Sequence, residues 1–275
     1  MNTNYYYLQL DTHYLTVPYS QKDRRIRVLL PKDYQESEKH YPVIYMHDGQ
    51  NVFHSKEAFS GHSWKVIPTL KRNPDLPPMI IVGIDNDGMG RMDEYTPWHI
   101  VNNPNLQEET LMGGFGNEYG DFVMEVVKPF IDENYRTKPE KKFTAMAGSS
   151  LGGNISAFLG IKYQDQIGGL GIFSIANWIT QLQFDRYLAR HPLNEDQRVY
   201  IQVGTKEGDS TDRQLMSGNM RQNYIDSTIS YYQGLLKAGL PIDQIDLNII
   251  EGDTHTEAVW AKHFPSCLRF LSENW

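Results

Sequence analysis

The apolar positions of the chain fall into two periods. Tyr41–Met46 and Met79–Ile84 are short continuous apolar runs, which read as strands buried on both faces of a parallel sheet. Phe143–Gly148, Leu170–Ser174, Arg198–Val203 and Ile245–Ile250 predict four more strands. Helical spacing governs Tyr119–Asn134, where Phe122, Val123, Val126, Val127 and Phe130 share a face. Pro129 is expected to kink that helix. Asn154–Tyr163, Tyr224–Ala238 and Thr256–Leu271 predict further helices, with Gly239 capping the second of them. Nearer the start, Tyr5–Leu10 and Arg25–Leu30 read as two strands, with a turn at Tyr19–Asp23 and Pro31 closing the second.

From about residue 41 onward, strands and helices alternate, which predicts a mostly parallel sheet with helices on both faces. No repeat, low-complexity tract or linker interrupts the pattern, so one domain over residues 1–275 is the simplest division. Residues 85–115 form an excursion longer than most connections, as functional loops often are.

Composition removes several classes of function. The formal net charge is −8 and Lys and Arg are scattered, so neither nucleic acid nor an anionic membrane is an expected partner. One cysteine, Cys267, cannot form an intrachain disulfide; its apolar helical setting predicts a buried thiol. No run reaches membrane-spanning length and no leader pattern opens the chain, so a cytoplasmic location is expected. The 17 Tyr and 5 Trp predict many side-chain hydrogen bonds, because buried phenols and indoles need partners. Oligomeric state is not legible.

Against this background one pentapeptide carries chemistry. Gly148-Ser149-Ser150-Leu151-Gly152 is G-x-S-x-G centred on Ser150. It follows a predicted strand and opens a predicted helix, the arrangement of a nucleophile elbow. A serine hydroxyl needs a base, and histidine suits that task near neutral pH. His255 lies between the last strand and the last helix, at the end of the sheet where sites form. His191 falls at the opposite end, and His263 sits inside the last helix beside Phe264, as a structural histidine would.

The acid that orients His255 should follow the penultimate strand, in Gly204-Thr205-Lys206-Glu207-Gly208-Asp209. Glu207 ranks first as nearest the strand end; Asp209 and Asp212 stay open. Oxyanion donors are expected from the backbone N–H of Leu151 and, in the loop His47-Asp48-Gly49-Gln50-Asn51, from that of Gln50. Asp48, Tyr95, Trp98, Phe115 and Trp178 are candidate pocket residues. His47, Asp48 and His54 match no metal motif, and no metal or cofactor is expected.

Taken together, these residues resemble a known group. Tyr45–Asn51, Arg91–Pro97, Lys128–Thr137, the Ser150 elbow, Phe173–Trp178, Gly204–Gly208 and Gly252–Glu257 are similar to segments of one esterase family of α/β-hydrolases. It includes esterase D-type S-formylglutathione hydrolases, feruloyl esterases, enterochelin esterases and mycolyltransferases; its small bacterial hydrolases are most alike. The resemblance implies an α/β-hydrolase fold with about eight strands and no large lid domain. It also implies a nucleophile at Ser150, a base at His255, an acid at Glu207 and oxyanion amides at Gln50 and Leu151. A small or medium soluble ester is the expected substrate, with acyl transfer as the alternative outcome of the same acyl-enzyme and a non-catalytic scaffold ranked last. The chain lacks the Arg-rich loop that an anionic iron–siderophore complex would call for.

Overall fold

A computed structural model describes residues 9–100, 112–208 and 219–275. Its centre is an eight-stranded sheet ordered β1-β2-β4-β3-β5-β6-β7-β8. The strands are β1 (Leu10–Thr16), β2 (Asp23–Leu29), β3 (Val43–Met46), β4 (Ile80–Ile84), β5 (Thr144–Ser149), β6 (Gly169–Phe173), β7 (Arg198–Lys206) and β8 (Ile245–Thr254). β1 and β2 pair antiparallel, as do β2 and β4, and the pairings from β4 through β8 are parallel. This is the mostly parallel sheet of the α/β-hydrolase fold, with no large lid among the described residues.

Hydrophobic runs explain the middle of the sheet. Every residue of β3, β4, β5 and β6 is buried, because helices cover both faces. One face packs against α1 (Val66–Arg72) and α8 (Glu257–Ser272) through Trp64, Val66, Trp260, Phe264, Cys267 and Leu268. The other carries α2 (Arg91–Tyr95), α3 (Gly116–Asp121), α4 (Lys128–Asn134), α5 (Leu151–Lys162), α6 (Gln181–Ala189) and α7 (Met220–Lys237). Cys267 is fully buried. Gly239 follows α7 at φ +105°, a left-handed cap that glycine adopts without cost.

Three departures from the sequence reading have a clear physical reason. The first strand is Leu10–Thr16 rather than Tyr5–Leu10, of which residues 5–8 lie outside the described residues. Its half-buried positions include Asp11 and His13, both bonded to Tyr135 Oη, so a polar seam replaces the apolar alternation that marks a strand. At Pro129 the expected kink takes the form of a π-helical turn, Phe122–Val127, between α3 and α4. The Lys128 amide bonds to the Val123 carbonyl five residues back, and Pro129 then falls in the first turn of α4, where its missing N–H costs little. Finally, the predicted helix at Asn154 begins three residues earlier, immediately after Ser150.

Candidate active site

Three consecutive parallel strands of the sheet end in strained residues. Asp48 beyond β3, Ser150 beyond β5 and Ser174 beyond β6 are non-glycine residues at φ +54°, +57° and +45°. Each such conformation costs on the order of 1–3 kcal/mol, and it persists only where surrounding bonds enforce it. At Ser150 those bonds are explicit. Its N–H donates to the Phe173 carbonyl at 2.9 Å, and its own carbonyl accepts from Asn154 and Ala176. Ser150 is thereby fixed at the mouth of α5, with the helix N-terminus behind it. Gly148 makes the turn possible: a Cβ there would lie 2.4 Å from the Gly152 carbonyl.

The His255 loop follows β8, and Glu207 follows β7. His255 Nδ1 lies 2.6 Å from Glu207 Oε2. The Glu207 side chain is fully buried, and its Oε1 accepts from the Gly204 amide at 2.7 Å and the Ser174 hydroxyl at 2.6 Å. Ser174 Oγ in turn accepts from Trp260 Nε1 at 2.8 Å. The His255 ring packs edge-on against Trp260, centroids 4.9 Å apart, and lies 4.7 Å from that of Tyr224 on α7. Asp209 and Asp212, the other acids left open by the sequence, lie outside the described residues.

The loop after β3 meets the elbow from the other side. A Cβ on Gly152 would lie 3.1 Å from Asp48 Oδ2, so this loop and the start of α5 are in contact. Leu151 is the first residue of α5, and its N–H has no carbonyl four residues back within the helix. Gln50 sits in the 3₁₀ turn Gly49–Asn51, which the Asn51 amide closes on the Asp48 carbonyl. The Tyr95 hydroxyl accepts the Asp48 amide at 3.1 Å. Beneath the loop, His47 Nδ1 lies 2.8 Å from Tyr119 Oη. Burial of the His47 ring, offset only in part by Asp48, brings its pKa down from 6.5 to about 4.

The five pocket candidates lie in different surroundings. Asp48 is buried and held by Arg91, Nε–Oδ1 at 2.7 Å and Nη2–Oδ2 at 2.8 Å, with Asn86 Nδ2 at 2.6 Å. Burial opposes its charge, but Arg91 and Asn86 outweigh that cost and hold its carboxyl below the usual range. Tyr95 is fully buried, under the Arg91 guanidinium. Trp98 packs away from the loop, on Phe158, Phe184 and Tyr187. Phe115 is exposed and tilts against Tyr19. Trp178 connects through rings to the histidine: it meets Tyr224 at 5.8 Å, and Tyr224 meets His255.

The other downstream histidines are engaged elsewhere. His191 Nδ1 lies 2.7 Å from the Tyr187 carbonyl at the end of α6, and His263 Nε2 lies 2.6 Å from Asp253 Oδ2. Among the described residues, no group of three or more His, Cys, Asp or Glu is arranged to hold a metal ion, and no helix is long and apolar enough to cross a membrane. Sequence reasoning passed over Ser174, Trp260, Tyr224 and Arg91. Trp260 and Tyr224 sit in helical apolar stripes that read as core, and Ser174 is a small polar residue at a strand end. Arg91 and Ser174 carried one signal, their places in the segments Arg91–Pro97 and Phe173–Trp178.

Comparison with known proteins sets this geometry in context. A family model described as "Putative esterase" matches residues 18–270. The uncharacterized protein YbbA of Bacillus subtilis (strain 168) is 27% identical over 250 residues, 90% of this chain and 92% of its own. A solved ferulic acid esterase superposes with a TM-score of 0.68 at 20% identity, covering 97% of this chain and 99% of its own. An IroE-like serine hydrolase from Shewanella oneidensis gives 0.73 at 17% identity, over 95% of this chain and 79% of its own.

Proposed function

This chain belongs to the esterase family, and from that membership we propose that it is a serine carboxylic-ester hydrolase working through an acyl-enzyme on Ser150. His255 takes the Ser150 proton as the hydroxyl attacks the ester carbonyl. Glu207 orients the imidazole and stabilises its positive charge. The Leu151 and Gln50 amides hold the tetrahedral oxyanion. His255 then protonates the leaving alcohol, and in the second half-reaction it activates the water that releases the acid. No step calls on a metal or cofactor. The observation that carries this reading is the 2.6 Å contact between His255 Nδ1 and Glu207 Oε2, which joins the ends of β7 and β8 on a chain whose β5 ends in an elbow serine.

The substrates are small or medium soluble esters. Support comes from the segment between β6 and β7, which folds into one 3₁₀ turn and α6, packed on α7 through Leu188 and the Asp185–Ser230 hydrogen bond rather than raised as a cover. An ester panel of graded acyl length, run on wild type and Ser150→Ala, tests the mechanism. Turnover should fall by about 10⁴–10⁶-fold in the variant, and a fluorophosphonate should label wild type alone. Undiminished turnover in Ser150→Ala would sink the mechanism.

A further inference from the structure

Around the acid, four side chains close a ring. Trp260 Nε1 donates to Ser174 Oγ (2.8 Å), Ser174 Oγ donates to Glu207 Oε1 (2.6 Å), and Glu207 Oε2 meets His255 Nδ1 (2.6 Å). The ring closes where the His255 imidazole packs edge-on against the Trp260 indole at 4.9 Å. Ser174, Trp260 and the Glu207 side chain are all buried, so water does not compete for these bonds.

Donor chemistry fixes the sense of the ring. An indole N–H donates and never accepts. Ser174 Oγ must therefore accept from Trp260, and its single proton is committed to Glu207. The Gly204 amide brings a second donor to the same oxygen. With two donors spent on Oε1, the Glu207 carboxylate meets Nδ1 through Oε2 as an acceptor. The proton in the contact with His255 accordingly resides on Nδ1, and Nε2 is the unprotonated ring nitrogen.

From this we infer that Ser174 and Trp260 are positioning residues that set the tautomer of His255 through Glu207. The inference rests on the proposed serine mechanism, in which the base must present an unprotonated Nε2 to Ser150. Neither residue is asked to touch substrate. The strain at Ser174, φ +45°, has a purpose on this account: it aims a short hydroxyl at both the indole and the carboxylate.

Two variants test it. Ser174→Ala breaks the relay with the loss of one atom, and Trp260→Phe removes the donor while keeping an aromatic ring over His255. Both are examined as folded proteins labelled with ¹⁵N-histidine, and His255 is assigned by a His255→Gln control. In wild type, His255 shows a protonated Nδ1 and an unprotonated Nε2. In each variant, the two nitrogen shifts should move toward one another as the tautomers mix. The kcat should fall about ten-fold, the weight of one lost hydrogen bond to a charged group, while KM changes less than two-fold. A merely structural role lowers the melting temperature and leaves the nitrogen shifts in place. Wild-type shifts in folded Ser174→Ala and Trp260→Phe would overturn the inference. Fluorophosphonate labelling of wild type tests the serine mechanism separately, since the nitrogen shifts are read without turnover.

Discussion

Ser150, Asp48 and Ser174 share a property that hydropathy does not record: each holds a positive φ one or two residues beyond a sheet strand. Ser150 was legible because its conformation demands small neighbours, and the glycines at 148 and 152 leave that demand in the sequence. At Ser174 the conformation is enforced by partners, Trp260 and Glu207, that are distant in the chain, so nothing local announces it. Glu207 is an intermediate case. Its place after β7 follows from strand counting and the Gly204 amide is a local partner, but the Ser174 hydroxyl is brought to it only by the fold. Those two donors make a prediction about Glu207→Gln. The amide puts an N–H₂ where either the Ser174 proton or the His255 proton must point, so the imidazole is driven to the wrong tautomer. Steady-state kinetics should show kcat reduced roughly 10³–10⁴-fold, with KM within a few-fold of wild type because the side chain is fully buried. A loss below ten-fold would remove Glu207 from the mechanism.

Among elements, buried strands with continuous apolar runs were the easiest to read, and short amphipathic pieces the hardest. α1 spans only Val66–Arg72 with Pro68 in its first turn, and α6 buries only Phe184 and Leu188, too brief a stripe to stand out from its polar neighbours. β1 was displaced in the reading because its inward positions carry Asp11 and His13. What no pattern exposes is how elements are tied across the site. Glu257, the buried first residue of α8, accepts from Asn51 Nδ2 at 3.1 Å and from the Ser60 hydroxyl at 2.6 Å. Asn51 adjoins Gln50 in the loop after β3, and Glu257 lies two residues beyond His255. This carboxylate thus couples the proposed oxyanion loop to the loop of the proposed base. Glu257→Ala should cost about 1–3 kcal/mol in urea denaturation, because the Asn51 side-chain amide is left buried without its carboxylate acceptor, and kcat should fall several-fold as the two loops part. An unchanged denaturation midpoint together with unchanged kcat would show that the tie does not matter.

At the scale of the molecule, alternation of strand and helix predicts a parallel sheet, but the order β2-β4-β3-β5 depends on ladder partners tens of residues apart. Response to acid is likewise a property of the whole fold, and His47 dominates one part of it. The ring is buried beneath the loop after β3, against Tyr119 and Tyr95, with Asp48 and Arg91 as the nearest charges. Burial, the largest cause, acts with Arg91 and outweighs Asp48, and together they bring its pKa down to about 4. In the unfolded chain the same ring takes up a proton near pH 6.5. Between those values the unfolded state binds the extra proton, so stability is fully present above pH 6.5 and is lost as pH falls toward 4. The loss amounts to roughly 3 kcal/mol across that window. Asp48 acts in the same sense only at lower pH, since its folded pKa lies below the ordinary carboxylate value. Asp85 acts oppositely, because burial raises its pKa despite Arg27 and Arg25. The His47 share is therefore read as a difference between two denaturation series. His47→Gln should be less stable than wild type at pH 7, yet lose much less stability between pH 6.5 and 4, so the two curves converge in acid. Parallel curves would mean that His47 is protonated in the folded protein, and that the buried ring beneath the loop is not what limits its tolerance of acid.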